Sequence, residues 1–247
     1  MKISLIIPAH NEAAFLPATL HHARQAAARV PVPVEIILVL NRCTDATEHI
    51  ARRHRCLIVR EDARNLATIR NAGAAAATGD ILVTCDADSR MHPATFQHIL
   101  RLLASGKFIG GGALVLPERW SLGILASVFA ILPYLAFTGV TFGLFWCHRR
   151  DFQEIHGFDP RFITIEDVDF AQRLKAHGRL TSRRWATLWR APLITSCRKF
   201  DQFGDWYLFR NPAFVRRVFR GTDRQAADKF WYDVRSDDRS PSSKDGR

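Results

Sequence analysis

The first half of the chain alternates short, continuous apolar runs with stretches of helical periodicity, which predicts strands and helices in turn. Residues 3–7 read as a first strand, ended by Pro8. Asn11 and Glu12 open a helix through about residue 29, with Phe15, Leu16 and Leu20 on one side, and Pro31 and Pro33 break it. Residues 34–40 form a second apolar strand. The polar turn Asn41-Arg42-Cys43-Thr44-Asp45 follows, with Thr44 or Asp45 able to cap the next helix. Residues 57–59 make a third short strand, 65–77 an Ala-rich helix closed by Gly79, and 81–83 a fourth strand. A helix over about 93–104 and an extended segment over 108–116, with Gly110-Gly111-Gly112 at its start, complete this half. Strand and helix at such close spacing predict an α/β fold with a Rossmann-like, mostly parallel sheet covered by helices on both faces.

The second half reads differently. Between Trp120 and Cys147 no residue is charged, a length that by itself would span a bilayer. Gly123, Pro133, Gly139 and Gly143 interrupt it, and residues 142–147 look like a returning strand. A single crossing would also separate the acidic residues before and after it. The pattern therefore predicts a helix over about 121–132, a turn and a second short apolar segment, either buried or lying in a membrane interface. Residues 151–156 suggest a short helix stopped by Gly157. Residues 166–176 suggest a helix with Gly178 at its end, and 180–188 an extended return. After Thr195 the chain is basic and aromatic, which suits either an amphipathic helix on an anionic membrane or a helix packed on the domain with a solvated basic face. Residues 235–247 are polar and predicted to be disordered. The divisions are thus 1–116, 117–195 and a C-terminal extension, 196–247.

Composition narrows the classes. An apolar fraction of 47% over 247 residues is ordinary for a chain with a full core. The formal charge of +11 fits an anionic substrate, an anionic membrane surface or nucleic acid. Five widely spaced cysteines without a C-x-x-C pair read as reduced thiols of a cytosolic protein, which excludes a disulfide frame or a zinc site. The apolar start is too short for a signal peptide and runs at once into His10, Asn11 and Glu12.

The candidate chemistry centres on Gly79-Asp80-Ile81-Leu82-Val83-Thr84-Cys85-Asp86-Ala87-Asp88-Ser89. Its strand ends in two carboxylates one residue apart, where open α/β sheets bind ligands. Two hard oxygen donors there suit Mg²⁺ or Mn²⁺ carrying a diphosphate; the plainer reading is a polar loop capping the next helix.

Further motifs stand in a fixed order around it: Ser4-Leu5-Ile6-Ile7-Pro8-Ala9-His10-Asn11-Glu12, Leu38 to Thr47, Asn65, Arg70-Asn71-Ala72-Gly73, Gly157-Phe158-Asp159 and Glu166-Asp167-Val168-Asp169. The series, over about residues 2–185, resembles the family 2 glycosyltransferases with the GT-A fold. The resemblance implies that Pro8 and Ala9 line a base pocket with backbone groups. Asn41 stands where the family has a carboxylate that reads the nucleobase, because the usual D-D-G-S-T-D has become Leu40-Asn41-Arg42-Cys43-Thr44-Asp45. Arg70 would meet the nucleotide or its phosphates. Asp86, Ala87 and Asp88 would take the ribose–diphosphate and a Mn²⁺ or Mg²⁺ ion, with Asp88 the direct ligand and His148 a candidate third ligand or substrate contact. Asp167 would be the general base beside the acceptor hydroxyl, with Glu166 orienting acceptor or sugar. Trp146 and Phe158 could stack on a sugar or lipid, with core packing as the default.

The Q-x-x-R-W element of processive synthases is not clear; Ser182-Arg183-Arg184-Trp185 only faintly resembles it, which favours single transfer over polymer synthesis. The activity implied is inverting, metal-dependent transfer from a nucleotide-sugar, a UDP-sugar, to a lipid-linked or membrane-associated acceptor. The implied location is the cytoplasm, peripheral on the inner face of the plasma membrane. Two other readings stay open: a nucleotidyltransferase, for which an early Gly-rich basic loop is lacking, and a non-enzymatic basic module binding membrane or nucleic acid.

Overall fold

The computed structural model describes residues 1–138 and 143–212. Eight strands form one sheet in the order β3-β2-β1-β4-β7-β6-β8-β5. β1 (Ile3–Ala9), β2 (Val34–Leu40), β3 (Leu57–Arg60) and β4 (Ile81–Cys85) run parallel. β7 (Leu144–His148) lies antiparallel between β4 and β6 (Phe108–Pro117), and β8 (Arg184–Thr195) runs parallel to β6. The two-residue β5 (Ser89–Arg90) pairs antiparallel with the end of β8.

The central strands β1, β2 and β4 are largely buried on both faces, so they read as nearly unbroken apolar runs. Along β1, Ile3, Leu5 and Ile7 point into one core and Ile6 into the other. The first core joins them to Leu16 and Leu20 of α1 (Leu16–Ala27), to Phe96 and Ile99 of α4 (Thr95–Ala104) and to Trp146. The second joins Ile6 to Ile69 of α3 (Leu66–Ala76), to Phe158, and to Phe170 and Leu174 of α7 (Glu166–Leu180). α3 sits close on the sheet because it presents Gly73: a Cβ there would stand 2.5 Å from Ile6 Cγ2 and 2.8 Å from Val39 Cγ2.

Several expected boundaries move, each for a local reason. The first helix starts at Leu16, not Asn11, because residues 11–13 are committed to tertiary hydrogen bonds. Asn11 has a left-handed φ of 51° and accepts from the Thr44 amide, the Glu12 amide donates to Thr47 Oγ1, and the Ala13 amide donates to Asp45 Oδ2. Asp45 also accepts from the Thr47 amide, the first residue of α2 (Thr47–Arg53), so it does serve that helix end. α5 (Leu122–Thr138) does not stop near residue 132 but runs on through Pro133, which removes one rung of the helix and leaves the turns on either side. Gly178 is not a helix end. It lies inside α7, where a Cβ would come 2.7 Å from the Arg183 carbonyl and 2.9 Å from Ile109 Cγ2.

The short helix expected over 151–156 is α6 (Arg149–Glu154). After Thr195 the single amphipathic helix becomes two short ones, α8 (Arg198–Phe203) and α9 (Tyr207–Arg210), separated at Gly204 with φ 88°. The basic residues after 212 and the polar end over 235–247 lie outside the described residues. Among the described residues no helix is long and apolar enough to cross a membrane.

Candidate active site

The parallel strands end together, and the loops that leave them build one cleft. Pro8 and Ala9 end β1. Asn41 follows β2, and its amide donates to the Ala9 carbonyl at 2.8 Å. Asp86, Ala87 and Asp88 follow β4. Glu166 opens α7 from the other half of the chain. All seven line the same cleft. The segment after β8 closes it with Thr195, Ser196, Lys199 and Phe200. Acidic groups about eighty residues apart thus face one space, at the crevice where open α/β sheets take ligands.

Arg70 joins the two acidic groups. Its guanidinium is 3% exposed; Nη1 donates to Glu166 Oε1 at 2.8 Å and Nη2 to Asp86 Oδ1 at 3.1 Å. The Phe158 ring lies beneath it, 5.2 Å from the guanidinium carbon to the ring centre. Asn71, the next residue of α3, fixes the Phe158 backbone from both sides: its Nδ2 donates to the Phe158 carbonyl and its Oδ1 accepts the Phe158 amide. The Arg-Asn pair on α3 therefore sets the Gly157-Phe158-Asp159 loop and holds Glu166.

The electrostatics divide the acids. Glu166 is buried, and burial raises its carboxyl against the pull of Arg70. Asp167 is half-buried at the start of α7. Burial first, and the neighbouring Glu166 charge second, push its carboxyl up to about 7. A carboxyl titrating near neutrality suits a group that must accept a proton and release it again.

Asp88 is held from the C-terminal segment. Its Oδ2 accepts from Ser196 Oγ at 2.8 Å and from Arg198 Nη2 at 3.1 Å. Arg198 also clasps the buried Glu12 with two hydrogen bonds, at 3.0 and 3.1 Å, and stacks over Phe15. Asp86 Oδ2 and Asp88 Oδ1 have no partner among the described residues. Among those residues no group of three or more His, Cys, Asp or Glu side chains is placed to hold a metal alone. Two hard carboxylate oxygens fit an ion such as Mg²⁺ or Mn²⁺, whose other positions go to phosphates and water.

Asn41 is anchored by its amide nitrogen, which donates to the Glu61 and Ala63 carbonyls at 2.6 and 2.9 Å. Its Oδ1 is left as an acceptor, to which Arg42 Nη2 donates at 3.3 Å. His148 does not join the site. It pairs with Ile81 at the start of β4, whereas Asp86 follows Cys85 at the other end of that strand. Trp146 and Phe158 are core residues: the Trp146 indole donates to the Gly112 carbonyl, and Phe158 stacks on Phe170 at 4.2 Å.

The sequence gives Glu12, Arg198 and Lys199 no place in the cleft. Glu12 and Arg198 are 186 residues apart, and no local pattern ties them. Glu12 is buried in the structure, and a buried acid must find a cation.

Residues 4–121 match the model of the family described as "Glycosyl transferase family 2". Two curated relatives, the uncharacterized glycosyltransferases Mb0553 of Mycobacterium bovis and Rv0539 of Mycobacterium tuberculosis, are each 30% identical over 104 residues, 42% of this chain and 44% of theirs. The chain thus aligns with less than half the length of these relatives. Among solved structures, S. aureus TarS 1-349 in complex with UDP-GlcNAc superposes with a TM-score of 0.63 at 15% identity, covering 93% of this chain and 71% of that one. The mannosyltransferase PcManGT from Pyrobaculum calidifontis, in complex with GDP-Man and Mn²⁺, gives 0.63 at 18%, covering 92% and 67%. Glucosyl-3-phosphoglycerate synthase from Mycobacterium tuberculosis, in complex with Mn²⁺, UDP and glucosyl-3-phosphoglycerate, gives 0.59 at 18%, covering 88% and 78%. At these identities the likeness is one of fold, the GT-A fold.

Proposed function

We propose, on the match of residues 4–121 to the model of glycosyltransferase family 2, that the protein transfers a sugar, with inversion, from a UDP-sugar to an acceptor hydroxyl. The observation that carries the reading is the convergence of Asp86 and Asp88, after β4, with Glu166, on α7, on one cleft. Residues 1–116 bind the donor and residues 117–195 the acceptor in this assignment.

The surroundings of several of these atoms support the roles assigned to them. Pro8 and Ala9 wall the base pocket, and Asn41 Oδ1 accepts the uracil N3–H. UDP or UDP-GlcNAc in two of the structural relatives supports the choice of base. Asp86 and Ala87 meet the ribose and diphosphate. Asp86 and Asp88 would hold a Mn²⁺ or Mg²⁺ ion, which when bound would offset the negative charge on the departing diphosphate; Mn²⁺ in two relatives supports this. Asp167 takes the proton of the acceptor hydroxyl on the side opposite the leaving group, and Glu166, fixed by Arg70, orients the sugar or the acceptor. Arg70 ties the donor-side acid to the acceptor-side acid, so the geometry between them is fixed before substrate arrives. The acceptor is carried on a lipid or held at a membrane surface, and the enzyme works in the cytoplasm as a peripheral protein of the inner membrane face. Nucleic acid is no partner in this reading.

A thermal-shift screen of nucleotide-sugars with and without Mn²⁺ tests it. A saturating donor at about 100 Kd stabilises the fold by about 2.7 kcal/mol, so a UDP-sugar with Mn²⁺ should raise the melting temperature and be slowly hydrolysed. The reading fails if no nucleotide-sugar shifts the transition while a nucleoside triphosphate is turned over with release of pyrophosphate.

A further inference from the structure

α5 carries no charged residue, and of its described side chains one side is packed and the other exposed. Gly123, Ile124 and Ser127 face the protein. Leu122, Leu125, Phe129 and Leu132 recur at i, i+3, i+7 and i+10, one stripe of the helix, and all four are exposed, Leu122 by 78% and Phe129 by 62%. A helix apolar all round is ordinarily buried all round, so this stripe calls for a cover. The exposure extends past the helix: Trp120 precedes it, and Trp206 and Phe209 of the C-terminal segment are exposed as well. The two parts are joined. A Cβ on Gly123 would stand 2.7 Å from the Asp205 carbonyl, and Arg119 pairs with both Asp201 and Asp205.

We infer that this face, the Leu122–Leu125–Phe129–Leu132 stripe with Trp206 and Phe209, docks on an anionic lipid bilayer. Charge decides the partner. The stripe carries no charge, while from Trp206 to Arg220 the sequence places Arg210, Arg216, Arg217 and Arg220 among five aromatic residues, with no acid. An apolar stripe beside Arg210, in a chain whose following residues are rich in arginine and aromatic rings, matches an interface of acyl chains under negative headgroups. A nucleic acid would leave the apolar stripe uncovered, and a second copy would bring like charge to like charge. At 17 residues α5 lies on the bilayer and does not cross it. The inference rests on the membrane part of the proposed function and not on its donor chemistry.

The test is co-sedimentation of the full chain with vesicles of phosphatidylcholine alone, or with about one-third phosphatidylglycerol. Wild-type protein should pellet with the anionic vesicles, less so as salt rises. Leu122→Ser with Phe129→Ser should weaken binding at least about tenfold, while Trp189→Ser, an exposed position on β8 outside the stripe, should not change it. Equal binding by the double variant, or no binding by the wild type, overturns the inference. So does a wild-type dimer that the double variant converts to monomer with no effect on vesicles. Thermal shift by a UDP-sugar on the same preparations reads the donor chemistry separately, so either reading can fall without the other.

Discussion

Arg70 Nη1 lies 2.8 Å from Glu166 Oε1, an ion pair between residues 96 positions apart in which both side chains are at most 5% exposed. Removing one partner of such a pair strands a buried charge, at a cost of about 3–5 kcal/mol. Arg70→Met should lower stability by that order in urea melts and abolish turnover. Adding Glu166→Gln should recover most of the stability but none of the activity. If the double variant is no more stable than the single one, the pair is not what holds these helices in register.

Asp167 gives the site a pH signature. With its carboxyl raised to about 7 in the folded protein, the base form grows through neutrality, so kcat should climb between about pH 6 and 8. The sign for stability is the opposite. A carboxyl whose folded value is raised is favourable to the fold below the ordinary carboxylate range, and that contribution disappears as pH climbs through 7. Asp167→Asn should therefore lose about 10²–10⁴ in kcat while melting higher than wild type at pH 8. A variant that keeps turnover would remove Asp167 as the base.

Asp88 and Arg198 separate ion binding from the architecture of the cleft. Asp88→Ala should abolish both Mn²⁺ binding in calorimetry and slow donor hydrolysis. Arg198→Ala takes away the bidentate partner of Glu12, itself 1% exposed. A loss of about 3 kcal/mol is expected, with faster tryptic cleavage after Lys199. Cleavage at the wild-type rate would mean that α8 is held by other contacts.

Glu35 ties three elements together: it accepts from Ser4 Oγ, from the Thr78 amide and from Lys2 Nζ. Against the opposing effect of burial, these contacts hold its carboxyl down at about 2. Its contribution is present above the ordinary glutamate value near 4.5 and is lost as pH falls toward 2. Glu35→Gln should cost on the order of 2–3 kcal/mol at pH 7 and little at pH 2.5, read from melts across that range.

Close packing of α3 on the sheet makes Gly73→Ala a sharp probe. The added methyl would overlap Ile6 and Val39, so a loss of about 1–3 kcal/mol is expected. Because Arg70 sits one turn earlier on the same helix, donor affinity should fall with it.

What could be read from the chain, and what could not, follows from range. β2 is found at its observed bounds because a doubly covered strand is apolar without a break. α3 is found to within a residue at its start because its Ala-rich run is local, and the structure shows Asn65 capping it, with Oδ1 accepting the Thr68 amide. Gly178 misleads because a glycine that ends a helix and one that admits a neighbour look alike in sequence. Pro133 misleads because a proline weakens a helix without having to end it. Asp86 and Glu166 could be nominated singly, but the arginine between them becomes a partner only after α3 and α7 have packed. The Glu12–Arg198–Asp88 chain was the least legible, because its three members come from the two ends and the middle of the sequence.

The position of β7 sets an order on how the molecule is made. β6 does not pair with β4; β7, which comes later in the chain, lies between them. A nascent chain that has emerged only as far as Pro117 holds four parallel strands with an unsatisfied rim along β4, and a fifth strand with nowhere to attach. Synthesis must reach His148 before the sheet can knit across, so the apolar α5 leaves the ribosome while that rim is still bare. The same stretch that we propose meets a bilayer is thus exposed to aggregation at birth.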